Sequence, residues 1–311
     1  MKDITTREAM QILRSHEGMI DQFLSSLDIK KSSKETYRRS LRQFFSWLDS
    51  EDITRPQRQD ILRYKDHLTQ ELSALTVSNY IVAVRRFFAF LEAEGKYPNI
   101  VANVKGAKSS RSFRKDTLTP SQLKAMLDVI DKDTLKGKRD FAIINLMLRT
   151  ALRTIEVCRA NIEDIRQEGG EALLYIQGKG RDIKDEFVLL THDTLAPIRH
   201  YLATRGALDG SKPLFTSLSN RNEDSRLTTR SISRIVKERL RDIDIDDGRL
   251  TAHSLRHTAI TLSLLSGASL QETQAMARHS NINTTMVYAH NINRISSAPE
   301  RKIDAYLNEC L

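Results

Sequence analysis

The 311-residue sequence has no apolar run of membrane length. Phe141-Ala142-Ile143-Ile144 breaks at Asn145 and resumes only for Leu146-Met147-Leu148, whereas a span needs about 20 such residues. The first residues, MKDITTREAMQ, carry acids and no apolar stretch, so no secretory leader is expected there. Cysteine is nearly missing. Cys158 and Cys310 are too few for a disulfide framework and fit a reducing, cytoplasmic setting. Internal repeats and low-complexity segments are absent. Acid is in deficit, with 40 Asp+Glu against 49 Lys+Arg, a net charge of +9 and a pI near 9.5. That excess permits a polyanionic partner without naming one. What is present is ordinary for a globular protein, 40% hydrophobic and 29% charged residues, which excludes a disordered or fibrous chain. The length exceeds what one compact core usually fills, so two domains are expected.

The first hundred residues read almost wholly as helix. A segment from Thr6 to Leu27 offers Met10, Leu13, Ile20 and Leu24 as one face. Tyr37, Leu41, Phe44, Phe45 and Leu48 make a second stripe, and Ile61, Tyr64, Leu68 and Leu72 mark a shorter helix. Val77, Tyr80, Ile81, Val84, Phe88 and Leu91 make a fourth, with Gly95 as its stop. Four helices with short connections predict a small bundle over 1–104.

Lys34, Arg38 and Arg42 lie at i, i+4 and i+8 on one side of their helix, and Arg85 and Arg86 stand on a later one. Such faces serve equally as solvated surface or as a grip on phosphates. From 105 to 118 the chain holds Lys105, Lys108, Arg111, Arg114 and Lys115 with no acid before Asp116, plus Gly106 and three serines. It reads as a flexible basic linker, either a plain tether or a phosphate contact.

A second domain, 119–311, opens at Thr119-Pro120-Ser121-Gln122, where Thr as N-cap, Pro at N1 and Gln at N3 predict a helix start. Helices are expected at about 120–130 and 138–151. Ala172–Ile176 and Glu186–Leu190 read as two strands around Gly178-Lys179-Gly180. Helices follow at about 195–204, 229–241, 253–266 and 270–278. The fold class expected is mainly α with a small antiparallel β-sheet.

Four patches carry chemistry: Thr150-Ala151-Leu152-Arg153-Thr154-Ile155-Glu156, Gly178-Lys179-Gly180, His253-Ser254-Leu255-Arg256-His257, and His279-Ser280 followed by Thr284-Thr285 and Tyr288. His253 and Arg256, at i and i+3, share a helix face. A guanidinium beside an imidazole suits a phosphate oxygen, one as a fork and the other as a proton carrier. His253 and His257 at i and i+4 could instead share Zn²⁺, but no Glu completes an HExxH arrangement and the cysteines lie elsewhere. No metal is expected.

In this order the patches resemble the tyrosine recombinases, the integrase family, with simple two-domain Xer-like or mobile-element integrases as the nearest type. The family's first motif reads T-G-L-R-x-x-E, and here Ala151 replaces its Gly. Its hairpin turn reads G-K-G, its third motif H-x-L-R-H, and its last L-G-H-S, then T-T, then Tyr. Here Arg278 replaces that Gly, and Tyr288 follows His279 by nine positions. The resemblance spans nearly the whole chain and implies a four-helix, SAM-like core-binding domain before the linker and an α+β catalytic domain after it. The two would clamp double-stranded DNA from opposite sides.

The resemblance also implies roles. Tyr288 would be the nucleophile, forming a 3′-phosphotyrosyl link and a free 5′-hydroxyl without ATP or cofactor. Arg153 and Arg256 would hold the non-bridging oxygens and take the place of metal ions. Lys179 would protonate the departing 5′-oxygen. His253 would assist proton transfer at the tyrosine, and His279 would bind a non-bridging oxygen. Glu156 and His257 would support the site. The implied activity is DNA strand exchange at short inverted-repeat core sites through a Holliday junction, for integration, excision, inversion or resolution. It would be carried out by a homotetramer on DNA assembled from monomers, with or without an accessory directionality factor, on the nucleoid of a bacterium. About four helices precede the linker, so no arm-site domain is expected. The tail 289–311 places Ile303, Tyr306, Leu307 and Leu311 at helical spacing after Pro299, either to pack on its own domain or to dock on a neighbouring protomer. The competing functions are a catalytically silent DNA-binding architectural protein or repressor, a metal-dependent nuclease, and a topoisomerase-like relaxing enzyme.

Overall fold

A computed structural model describes residues 16–108, 117–178, 181–206, 209–296 and 299–310. The N-terminal part of the expected first helix, Arg111, Arg114, Lys115 and Lys179 lie outside the described residues. The chain divides into two compact units, Met1–Ser112 and Phe113–Leu311.

The first unit contains α1 (His16–Ser26), α2 (Lys31–Ser50), α3 (Arg58–Glu71) and α4 (Ala74–Ala93). Among the described residues each helix buries most of the stripe its spacing predicts, such as Leu41, Phe44, Phe45 and Leu48 on α2, with Tyr37, Leu72 and Tyr80 half-buried. Local chemistry sets the ends. The Ser73 hydroxyl accepts from the Thr76 amide to start α4. Gly95, at φ +65°, ends it while the Lys96 amide donates back to the Leu91 carbonyl at 2.8 Å. The centre is aromatic. Phe44 meets Tyr64 edge-on at 5.0 Å, and Phe87 meets both Phe23 and Phe45 edge-on. By length and composition α4 could cross a membrane, although no comparable uninterrupted run exists in the sequence. Here Val77, Ile81, Val84, Phe87, Phe88 and Leu91 fill the helical core, which accounts for its apolarity.

The second unit starts where the cap residues direct. The Thr119 hydroxyl accepts from the Gln122 amide, and the Gln122 side chain accepts from the Thr119 amide. That box opens α5 (Pro120–Asp128), followed by α6 (Leu135–Thr150) and a short α7 (Thr154–Arg159). A meander of β1 (Ile165–Glu168), β2 (Glu171–Ile176) and β3 (Glu186–Leu189) comes next, antiparallel in the order 1-2-3. The expected two-strand pair is therefore a three-strand sheet. β1 carries one apolar residue among Ile165-Arg166-Gln167-Glu168, so no alternation marks it. Its turn, Gly169-Gly170, has both residues at positive φ, as a tight hairpin twist requires. The unit continues with α8 (His192–Arg205), α9 (Thr229–Arg241), α10 (Ala252–Leu265), α11 (Leu270–Ala277), α12 (Asn283–Ser296) and α13 (Pro299–Cys310). Helix α6 is buried nearly all round, from Ala142 to Met147, and packs against α8 and α10.

The basic segment 105–118 is docked at both ends, each within its own unit. Ser78 on α4 donates to the Ala107 carbonyl, and a Cβ on Gly106 would meet the Ser78 hydroxyl at 2.5 Å. At the far end Leu118 is buried and its amide donates to the Thr258 hydroxyl at 2.9 Å.

Candidate active site

Two helix ends and two helix starts build the site. Helix α6 stops because Ala151 turns left-handed, at φ 52° and ψ 28°. The chain restarts at once as α7, where the Arg153 amide donates to Glu156 Oε2 at 2.8 Å. Helix α11 stops in the same way at Arg278, at φ 53° and ψ 50°. These are the two positions where the sequence departs from glycine in its motifs. Both are in the conformation glycine adopts without cost and a residue with a Cβ does not.

Those turns aim carbonyls at the arginines. Arg256, on the second turn of α10, is buried. It donates through Nη1 to the Ala151 carbonyl and through Nη2 to the Ala277 carbonyl at 2.5 Å. Arg153 is more open. Its Nη1 donates to Glu156 Oε1 at 2.7 Å and its Nη2 to the Arg278 carbonyl at 3.3 Å. Glu156 is fully buried. Burial alone pushes its carboxyl up, but the Arg278 charge and the hydrogen bonds and charge of Arg153 hold it below the ordinary value. Burial pushes Arg256 down to about 10, and the Arg153 and Arg278 charges add to this against the pull of Glu156 and Tyr288. It is a cation at neutral pH.

Tyr288, on α12, is 2% exposed and packs among Ala151, Ala259, Ile260 and Ala277. Burial pushes its phenol up to about 12, opposed by the Arg256 charge. Its hydroxyl is hydrogen-bonded to Nδ1 of His257. The imidazole touching the tyrosine is thus the one the motifs place in support. His253 stacks on it with ring centroids 6.2 Å apart. His279 stands 6.5 Å from the Tyr288 ring, and its Nδ1 is bonded to the Thr285 hydroxyl at 2.9 Å. Thr285 and Arg278 take part in the site, although the sequence motifs give neither a catalytic role and mark Arg278 only as an added cation near His279. The T-T pair and the replaced glycine were the available signals. A cleft of about 540 Å³ opens beside the site, lined by Arg181, Glu186, Phe187, Gln274, Arg278 and His279. The base of the β2–β3 hairpin and the α11–α12 turn therefore share one opening. Among the described residues no group of three His, Cys, Asp or Glu side chains could hold a metal ion.

In the first unit four of the expected basic side chains have local partners. Arg38 pairs with Asp21 at 2.6 Å, and Arg42 pairs with Glu17 at 2.7 Å. Arg85 donates to the Val104 carbonyl, and Arg86 lies over the Tyr37 ring. Lys34 is half-buried, while Lys105 and Lys108 are exposed.

Glu156→Gln is expected to destabilise the protein by about 3 kcal/mol, because two guanidinium groups lose the buried carboxylate that compensates them. Urea unfolding of the two proteins at neutral pH measures this. An unchanged midpoint would show that the carboxylate's charge is not needed there.

Residues 116–294 match the phage integrase family, and residues 20–95 match the phage integrase N-terminal SAM-like domain. A tyrosine recombinase of Synechocystis sp. is 30% identical over 275 residues, covering 84% of this chain and 86% of that one. The tyrosine recombinase XerC of Thermodesulfovibrio yellowstonii is 26% identical, covering 87% and 91%. Among solved structures, the XerH site-specific recombinase bound to palindromic difH substrate superimposes with a TM-score of 0.70 at 20% identity, covering 94% of each chain. The chain belongs to the phage integrase family. It is an enzyme of the tyrosine site-specific recombinase class.

Proposed function

We propose that this chain cuts and rejoins double-stranded DNA at short inverted-repeat core sites through a 3′-phosphotyrosyl intermediate and a Holliday junction. The observation that carries the reading is the convergence of Arg153, Arg256, His257, His279 and Tyr288 on two left-handed turns and two helix starts within one unit. Tyr288 Oη attacks phosphorus, the bond to the 5′-oxygen breaks, and the 5′-hydroxyl leaves. Arg153 and Arg256 hold the two non-bridging oxygens as charge grows on them. A phenol whose pKa lies near 12 needs a proton acceptor at neutral pH. The His257–His253 pair takes that part, with His257 in contact and His253 behind it. His279, fixed by Thr285, donates to a non-bridging oxygen, and Lys179 protonates the departing 5′-oxygen. With its ring buried, Tyr288 must move outward to reach a phosphate, passing its proton to His257 before their contact breaks. Lys34, Arg38, Arg42, Arg85, Arg86 and the basic residues of 105–115 contact the phosphate backbone. Arg38 and Arg42 exchange Asp21 and Glu17 for phosphates when they do so.

The protein acts in the bacterial cytoplasm, on its own or with a directionality factor. Covalent trapping in the native host tests the reading. Cells are denatured, DNA still attached to the protein is recovered, and the attachment points are sequenced. Discrete sites beside an element's ends, at a replication terminus or around an invertible promoter assign the role among integration, resolution and inversion. Tight binding with no attachment would favour an architectural binder.

The tail supports assembly. Ile303, Tyr306 and Leu307 on α13 are all exposed, an apolar row suited to a second copy of the chain in a tetramer on DNA. Removal of residues after Arg294 is expected to abolish cooperative two-site complexes in gel-shift assays and to spare single-site binding. Cooperative complexes from the truncated protein would disprove the docking role.

A further inference from the structure

Arg278 stands where the family motif has glycine, in a backbone conformation that penalises any side chain with a Cβ. The side chain is nonetheless present and inserted. It is 6% exposed, and its guanidinium donates through Nη1 to the Met276 carbonyl at 2.6 Å and through Nη2 to Glu156 Oε2 at 3.0 Å. The same Nη2 lies 3.5 Å from the Ala151 carbonyl. In return the Arg278 carbonyl accepts from Arg153 at 3.3 Å. One residue thus ties the turn after α11 to the turn after α6, through both its side chain and its main chain.

The charge count changes with it. Glu156 pairs with two guanidinium groups, those of Arg153 and Arg278, and the guanidinium of Arg256 shares the Ala151 carbonyl with that of Arg278. These three arginines and Glu156 sum to two positive charges, where a glycine would leave one, and Glu186, paired with Arg181 across the cleft, adds its charge opposite Arg278. A phosphodiester carries one negative charge, and its pentacoordinate transition state carries two. The two oxygens of Glu156 take different guanidinium groups, Oε1 that of Arg153 and Oε2 that of Arg278, while Oε2 also accepts from the Arg153 amide.

We propose that Arg278 is a positioning residue for strand cleavage: by sharing the single charge of Glu156 with Arg153 and clamping the Ala151 turn, it leaves Arg153 only partly neutralised and fixed where it can meet the scissile phosphate. The proposal rests on the strand-exchange reading above. Arg278 does not touch the phosphate; it acts through Glu156 and Arg153.

The test uses the purified full chain and a duplex carrying an attachment sequence recovered by the trapping experiment. Covalent complex formation and noncovalent retention of the duplex are measured separately. Arg278→Gly restores the residue the backbone prefers, which offsets part of the loss of the buried ion pair, and its thermal unfolding is measured beside that of the unaltered protein. It is expected to form covalent complex roughly 10- to 100-fold more slowly, with retention unchanged. Millimolar guanidinium should restore part of that rate and leave the unaltered protein unaffected, and Arg278→Lys should fall between the two. An undiminished rate in Arg278→Gly would overturn this inference alone. So would a loss shared equally by retention and cleavage with no response to guanidinium. Absence of any covalent complex from the unaltered protein would overturn the strand-exchange reading, and this inference with it.

Discussion

Tyr288→Phe is expected to eliminate covalent attachment to DNA while leaving the fold and noncovalent DNA binding in place. The ring sits among Ala151, Ala259, Ile260 and Ala277, and phenylalanine fills the same space. The hydroxyl and its bond to His257 are lost. That exchange is expected to change stability by about 1 kcal/mol. Removal of the attacking atom costs a factor of at least roughly 10⁴ in rate, by analogy with deletion of other enzymic nucleophiles. A denaturing gel of protein and labelled site DNA, beside a native gel-shift, separates the two effects. Undiminished adduct in the variant would place the nucleophile elsewhere. Alkaline unfolding gives a second readout. Burial raises the phenol from 10 to about 12, so its contribution to stability is complete below pH 10 and is lost as pH rises towards 12. The phenylalanine protein should lack that alkaline decline.

The helical architecture is legible in the sequence because amphipathic spacing and caps act locally. The stripe from Val77 to Leu91 and the Thr119-Pro120-Ser121-Gln122 box fold where they are read. Strand β1 is not legible, since an edge strand of Ile-Arg-Gln-Glu takes its conformation from pairing with β2 and from the Gly169-Gly170 turn. Helix α7 is too short for a period, and it exists because Ala151 ends α6 and Glu156 caps the restart. At the site the residue types are legible and their contacts are not. Motif order brings out Arg153, Arg256 and Tyr288, but which imidazole meets the phenol depends on how α12 crosses α10. His257 and His253 are one helical turn apart, and no sequence pattern separates them. The two replaced glycines read as mild departures in the motifs. In three dimensions they are the left-handed corners whose carbonyls orient Arg256 and Arg153.

Arg256→Ala is expected to impair both stability and chemistry, and Arg256→Lys separates the two. The guanidinium spans two carbonyls, Ala151 and Ala277, from opposite sides of the site. Alanine removes the Arg256 donor from both acceptors, at a cost of about 1–3 kcal/mol each, and opens a cavity beneath the Ala151 turn. Lysine refills most of that volume and can satisfy one carbonyl, but a single ammonium lacks the planar fork that reaches both. Its stability should therefore lie between alanine and the unaltered protein. Its rate should not: loss of a fixed donor to a developing oxyanion costs about 10²- to 10³-fold, and lysine cannot hold a carbonyl and a phosphate oxygen in the same plane. Thermal unfolding gives the first quantity and single-turnover covalent complex formation the second. A lysine variant that cleaves at the original rate would show that Arg256 serves the turn and not the phosphate, and transition-state stabilisation would then fall to Arg153, the more exposed of the two.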